Sequence, residues 1–461
     1  MPIREARLAP SQTPKHATVS GETTPHAKVE IENASVRPDR GATAPVTLVA
    51  DAFGKFEGHV PVGEGDYVRL RAQGQGGPSS WLTVRAQGVS ASSSTTAATD
   101  AKNARVDAFA VAITPRADGT LAIDGRDGAP LSEPFAKLRF TNPQTGFFVD
   151  VTLDEEGRVP NGPLVLNGAA GHSIDVSISD GAHDTAHEMT VLSVVVHDGK
   201  PQAVMPGPLA RDGRPSTTRF TGPLFVDGAK PTDVQQGSIG NCYVPAAMAA
   251  MAQACPDAIA SMFRDNGDGT YTVRLYDTSW VPVPKQVLVT VDGELYARGS
   301  SPMYGKSIGT SGAEQMELWF PLFEKAYAVF RGGYDVVGQG GAGGKVMSHV
   351  LGSYDDYTDV PSSTADVVWQ KLFGAVSAGH PTTAGTHGQG ESHRYMNSGL
   401  YANHAYSVLG AREEGGQRFV TLRNPWGSSE AGNDGKNDGI FELPFEKFMH
   451  LFVNVASVPV E

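Results

Sequence analysis

The chain has two cysteines, Cys242 and Cys255, and the first has the setting of a nucleophile. A thiol attacks a carbonyl carbon well only as thiolate, which needs a neighbouring imidazole, a positive helix end, or both. Cys242 follows the loop QQGSIGN and opens NCYVPAAMAAMAQAC (241–255), whose small apolar residues recur at helical spacing. It therefore stands at the front of a helix, where free N–H groups and the helix dipole favour an anion. Gly237 and Gly240 let the preceding backbone turn tightly, and Tyr243 can wall the site. Gln236 can offer a side-chain amide to a developing oxyanion, with the Cys242 backbone N–H as second donor. The base must come from elsewhere and be held in one tautomer. His404 opens the strand-like run HAYSVLGA (404–411), and Asn424 ends the next, RFVTLRN (418–424). If the two are adjacent antiparallel strands, the start of one lies beside the end of the other. The Asn424 amide oxygen can then accept from the imidazole, with Trp426 covering the pair. Each piece alone has a plain reading: a small core cysteine, a structural histidine, an Asn-Pro turn. The combination and its order carry the inference.

Other elements must position these groups. A second helix is predicted over GAEQMELWFPLFEKAYAVF (312–330), where Met316, Trp319, Phe320, Phe323, Tyr327 and Phe330 share one face. Strands are predicted at 270–277 and 286–292, and FELPFEKFMHLF (441–452) closes the chain. GQGGAGG (338–344) reads as a hinge. A phosphate-loop reading of GQGGAGGK fails, because Gln339 and Val346 stand where Gly and Ser or Thr are required. The polar loop THGQGESHRYMN (386–397) reads as a mobile flap; a zinc site built on His387, His393 and His404 is the weaker reading. Cys255 reads as a buried small residue.

With these blocks in place, the second half of the chain resembles the calpain family. DVQQGSIGNCYVPAAMAAMA (233–252) resembles its nucleophile segment, GLYANHAYSVLGA (399–411) its histidine segment and TLRNPWGSSE (421–430) its asparagine segment. MELWFPLFEKAYAVFRGGYDVVGQGG (316–341) and DGIFELPFEKF (438–448) resemble two further blocks, so the likeness covers about 218–461. Two departures are Asn241, where Asp is usual, and Tyr243, where Trp is usual. The resemblance implies an α+β papain-like core of two subdomains, 218–340 carrying the nucleophile and 345–461 carrying His404 and Asn424. It implies a cysteine endopeptidase working through an acyl-enzyme on protein or peptide substrates. It also implies calcium outside any EF-hand. A first ion would take the carbonyls of Val226 and Gly228 with the carboxylates of Asp233 and Glu317. A second would take Glu430 and Asp438, with the Lys436 carbonyl and Asp434 as weaker candidates and Ile440 standing where a Glu is expected. Calcium in this family draws the two halves together, a hinge-type switch. A transglutaminase-like acyl transferase is a competing reading, disfavoured because it would carry Asp in place of Asn424. A non-enzymatic binding protein is another, disfavoured because all four catalytic residue types are present.

The rest of the chain bounds these readings. Its 461 residues suit several domains. A formal net charge of −13 argues against nucleic-acid or anionic-membrane binding. Two cysteines exclude a disulfide scaffold. The first 25 residues lack a secretory signal and read as disordered, and no stretch is long enough to span a membrane. The default is a soluble, cytoplasmic protein, with signal-less export left open. Short alternating runs such as VTLVAD (46–51), DYVRLRA (66–72) and WLTVRA (81–86) predict strands. A faint internal repeat predicts two β-sandwich modules, 26–95 and 104–200, divided within 91–103. These could bind a partner or act as a prosegment. The Pro-, Gly- and Arg-rich stretch after them (201–217) reads as a linker, and 198–220 is a candidate self-cleavage site.

Overall fold

Alternating apolar and polar residues, broken every few positions by Gly or Pro, can bury only one face of a sheet, and in residues 1–198 they build sheets. The computed structural model describes residues 5–10, 16–23, 27–33, 46–51, 55–61, 67–74, 77–78, 82–85, 106–178, 189–199, 201–279, 284–307, 316–431 and 436–460. They fall into two compact units, 1–198 and 199–461.

In the first unit, Glu5–Pro10 pairs antiparallel with His16–Glu22, which pairs with Lys55–Pro61. The segment 1–25, expected to be disordered, thus supplies two strands, and Val19 is fully buried. A second sheet joins Val46–Val49, Lys28–Asn33, Tyr67–Gly74 and Leu82–Arg85. Leu164–Asn167, Thr120–Gly125 and Val111–Pro115 form a third. Phe148–Thr152, Lys137–Thr141, Ser173–Ile178 and Met189–Val195 pair in that order. Buried pairs two residues apart, Leu121 with Ile123, Leu138 with Phe140, Ile174 with Val176, mark the inward faces. The boundary expected within 91–103 lies outside the described residues.

The second unit carries seven helices among its described residues: α1 (Tyr243–Ala254), α2 (Pro256–Ser261), α3 (Trp319–Arg331), α4 (Tyr334–Val337), α5 (Gly343–Leu351), α6 (Ala365–Ser377) and α7 (Phe445–Leu451). α1 is buried on all sides from Tyr243 to Ala252. Its alanines favour helix and let neighbours approach closely. One apolar cluster gathers α1, α3, α5 and the hairpin Thr270–Asp277/Lys285–Asp292 around Met248, Trp319, Phe320, Phe323 and Met347. Burial of each such side chain is worth roughly 1.5–3 kcal/mol. A second cluster, with Trp369, Tyr406, Leu422, Phe448 and Phe452, packs on a six-stranded antiparallel sheet. The strand order there is Asp356–Asp359, Phe452–Ser457, Thr382–Thr386, Ala405–Glu414, Gln417–Arg423, Ile440–Pro444.

Three sequence expectations shift. The stretch 201–217 is no free linker: Leu209 is buried in the first cluster, and Leu209 N–H and Ala210 N–H donate to Tyr304 Oη and Asp335 Oδ1 at 2.9 and 2.8 Å. The helix predicted from 312 starts at Trp319, because Glu317 is turned aside to accept the Val226 N–H. The last two residues of the glycine-rich run, Gly343 and Gly344, belong to α5. An added Cβ would lie 2.6 Å from Thr383 Oγ1 at Gly343 and 2.7 Å from Asp355 at Gly344, so these glycines serve close packing. Val346 and Met347 beyond the expected hinge belong to the first cluster.

Candidate active site

Cys242 caps the N-terminus of α1, and its carbonyl accepts from Ala246 N–H at 3.0 Å. The thiol is half-buried. Burial pushes its pKa up, against the pull of the nearby backbone N–H groups of Ala405, Tyr243 and Cys242 itself. Ala405 directly follows His404, so the thiol meets the histidine segment across the face where α1 packs on strand Ala405–Glu414. Ser407 Oγ donates to Ala246 O at 2.7 Å on that face.

The strands carrying the base and its partner are adjacent and antiparallel, with Ser407 opposite Arg423. This register brings His404 beside Asn424, and His404 Nε2 lies 2.9 Å from Asn424 Oδ1. An amide oxygen only accepts, so Nε2 carries the hydrogen and Nδ1 keeps its lone pair. Asn424 is fully buried and fixed by its Nδ2 donation to Ser429 O at 2.8 Å. Trp426 lies over the imidazole with ring centroids 4.7 Å apart, and Tyr406 meets it edge-on at 5.0 Å. Burial lowers the His404 pKa, partly opposed by Asn424. Both directions favour the uncharged forms of the pair.

The loop before Cys242 is stitched to the turn after Asn424. Gln236 N–H donates to Pro425 O at 2.9 Å, Gln235 Nε2 to Trp426 O at 3.2 Å, and Arg423 Nη2 to Val234 O at 2.6 Å. The Gln236 amide donates one hydrogen to Ile239 O at 2.6 Å, which leaves a second N–H for an oxyanion. Gly237 has no room for a side chain: a Cβ would sit 1.8 Å from Tyr304 O.

Of the residues matched to calcium, Asp233 and Glu317 are both fully buried and adjoin. Asp233 Oδ2 accepts Lys230 N–H at 2.7 Å and Trp319 Nε1–H at 3.3 Å. Glu317 Oε1 accepts the Val226 N–H. The remaining oxygens, Asp233 Oδ1 and Glu317 Oε2, are buried without a partner. Burial and the Asp233 charge push the Glu317 pKa up to about 7. Val226 O is 3.4 Å from Lys230 Nζ, and Gly228 sits at φ +79 in the same loop. Two orphaned carboxylate oxygens on adjoining buried side chains suit a hard cation.

The second set differs. Glu430 Oε2 accepts Gly439 N–H at 2.9 Å, Asp438 Oδ1 accepts Ile440 N–H at 3.0 Å, and both residues are half-buried. They brace a turn. Asp434 lies outside the described residues. Among those residues, no group of three or more His, Cys, Asp or Glu side chains is gathered around a metal position. His393 is exposed beside Glu391, and burial pushes the Cys255 thiol up to about 11. Sequence reasoning missed three buried charges, Glu324, Lys325 and Arg423. The signal for Glu324 was present: it shares a face of α3 with Phe320 and Tyr327.

Comparison with known proteins agrees with this geometry. The calpain family cysteine protease domain matches residues 210–439. Calpain-type cysteine protease DEK1 of Arabidopsis thaliana is 30% identical over 251 residues, 53% of this chain and 11% of its own. The calpain-1 catalytic subunit of Mus musculus is 28% identical over 234 residues, 47% of this chain and 30% of its own. The chain thus spans about a tenth of the plant relative and under a third of the mouse one. A segment of two fibronectin type III domains from chicken tenascin aligns at 11% identity over 43% of this chain and 99% of its own, with a TM-score of 0.14, too low to bear on the fold. No helix among the described residues is long and apolar enough to cross a membrane. Residues 210–439 are a calpain-like cysteine protease core.

Proposed function

We propose that this core is a cysteine endopeptidase regulated by calcium. The observation that carries the reading is the 2.9 Å bond between His404 Nε2 and Asn424 Oδ1, made where the Ala405 N–H adjoins the Cys242 thiol. His404 Nδ1 takes the proton from Cys242 Sγ as the sulfur attacks the scissile carbonyl carbon. The oxyanion is held by the Cys242 N–H and the free hydrogen of Gln236 Nε2. Collapse breaks the C–N bond, the leaving amine takes the proton from His404, and a thioester remains. A water, deprotonated by Nδ1, attacks the thioester; the acid departs and the thiol regains its proton.

A papain-like division into two subdomains, each with its own apolar cluster, agrees with this role, since the cleft then runs between Cys242 and His404. Calcium would be held by Asp233 Oδ1 and Glu317 Oε2 with the carbonyls of Val226 and Gly228, and it would neutralise a buried pair of like charges. Asp233 directly precedes the stitched residues Val234, Gln235 and Gln236, so a change at the ion reaches the turn that holds Asn424. We assign Glu430 and Asp438 a weaker role in any second calcium site. The sheets of residues 1–198 are read as β-sandwich modules that position substrate or a partner. Casein digestion with and without calcium, beside Cys242→Ala, tests the reading. Cleavage should require calcium and vanish in the variant; turnover by Cys242→Ala, or full activity after chelation, would sink it.

A further inference from the structure

The side-chain donor assigned to the oxyanion hangs on a single carbonyl. Gln236 Nε2 donates to Ile239 O at 2.6 Å, and Gln236 Oε1 is buried without a partner. Turning the amide over would set two oxygens against each other. Ile239 O therefore decides which way the nitrogen points and where its second hydrogen lies. The Ser238–Ile239 peptide is itself held. Ile239 N–H donates to Gly237 O and Ser238 N–H to Met303 O, both at 2.9 Å. The Ser238 carbonyl, in one plane with the Ile239 N–H, accepts from Arg211 Nη2 at 2.8 Å. Arg211 belongs to the stretch 201–217, which is fastened like a strap. Pro206 O accepts from Tyr296 Oη at 3.0 Å, and Gly207 O from Tyr334 N–H at 3.3 Å. Tyr304 Oη accepts Leu209 N–H and donates to Asp212 Oδ2, both at 2.9 Å. Arg211 thus projects from a turn, Ala210–Asp212, gripped on either side. Leu209 and Ile239 both close on Gly338, where an added Cβ would lie 2.8 Å from the one and 3.3 Å from the other.

We propose that Arg211 is a positioning residue for the oxyanion donor, acting through Ser238 and Ile239 on the Gln236 amide. The proposal rests on the peptidase reading, in which Gln236 holds the oxyanion. The Arg211 side chain is 66% exposed, so its bond to Ser238 O adds little to stability. Its effect is one of placement. Asp212 Oδ1, 3.9 Å from Arg211 Nε, steadies the guanidinium, and the planar fork presents Nη2 to the carbonyl. With that bond made, the Ser238–Ile239 plane is pinned at its oxygen as well as at its nitrogen. Without it the oxygen end swings free, and Ile239 O and the Gln236 amide follow. A displaced oxyanion donor is felt in the transition state and hardly at all in substrate binding, because charge on the oxygen develops only as the sulfur adds. Arg214 does not substitute for Arg211: it is exposed and bonds to none of these groups.

Arg211→Ala should lower kcat about tenfold and leave KM within about twofold, whereas Gln236→Ala should lower kcat about a hundredfold. In the Gln236→Ala background, Arg211→Ala should cost less than about a further twofold, because the group it positions is gone. Iodoacetamide alkylation of Cys242 forms no oxyanion, so its rate should stay within about twofold in Arg211→Ala. The Gln236 side-chain amide signal in a heteronuclear NMR spectrum, assigned by its loss in Gln236→Glu, should move in Arg211→Ala and hold still in Arg214→Ala. Additive losses in the double variant, a loss borne by KM, a fall in alkylation parallel to that in kcat, or an unmoved amide signal would each overturn the proposal. An unmodified chain that cleaves nothing sinks the peptidase reading instead, and the amide signal then still decides whether Arg211 sets the Gln236 side chain.

Discussion

Two carboxylate pairs stand near the candidate active site, and they differ in what their oxygens lack. Asp233 and Glu317 are fully buried, adjoin each other, and each keeps one oxygen without a partner. Glu430 and Asp438 are half-buried, and each accepts a backbone N–H of the turn it belongs to. An unpaired buried carboxylate oxygen costs free energy that a cation can return, whereas a turn-bracing carboxylate is already at rest. The family resemblance nominated both pairs for calcium. The hydrogen-bond account separates them.

The comparison breaks most visibly by calorimetry. Glu317→Gln removes a charged ligand and should weaken calcium binding at least about tenfold, or about 1.4 kcal/mol. Asp438→Asn should change it by less than about threefold, because its oxygen is already engaged. Equal losses in the two variants would erase the distinction. A second measurement follows stability against pH in calcium-free buffer. Glu317 has its pKa raised from the ordinary carboxylate range to about 7, so the folded state holds the proton longer than the unfolded chain. Its contribution is full below the unfolded value and is lost as pH rises through about 7; calcium or Glu317→Gln should flatten that decline. A decline of the same size in Glu317→Gln would assign it elsewhere. The smallest effect belongs to the turn: Glu430→Gln should cost about 1 kcal/mol of stability through the Gly439 bond and leave calcium affinity near its starting value.

Much of the site was legible because its signals are local. A histidine opening one strand and an asparagine ending the next need only a hairpin to meet, and the register Ser407 opposite Arg423 provides it. The thiol at its helix front arrives by the packing of α1 on the histidine strand. What escaped depends on contacts between distant segments. Residues 201–217 read as linker from their Pro and Gly, yet Leu209 finds a pocket formed more than a hundred residues later, beside Tyr334 and Val337. The start of α3 escaped because apolar spacing continues through Met316, whereas tertiary bonds from Val226 N–H to Glu317 and from Leu318 and Trp319 N–H to Pro223 O and Leu224 O surround the actual start. The strands within 1–25 escaped because a sequence rich in Ser, Thr and Pro looks disordered until His16–Glu22 has Lys55–Pro61 to pair with. Arg423 looked like an ordinary strand residue; its burial follows from the Val234 carbonyl it reaches.

The stitch between the nucleophile loop and the Asn424 turn has a consequence in solvent exchange. The Gln236 amide hydrogen is held by Pro425 O, so it can trade with deuterium only when that contact opens. Its exchange rate is a clock for separation of the nucleophile loop from the Asn424 turn, readable on the unlabelled chain with no substrate present. The Asn424 amide, bonded to Gly439 O, supplies the reference that should not change its pace when that stitch alone opens.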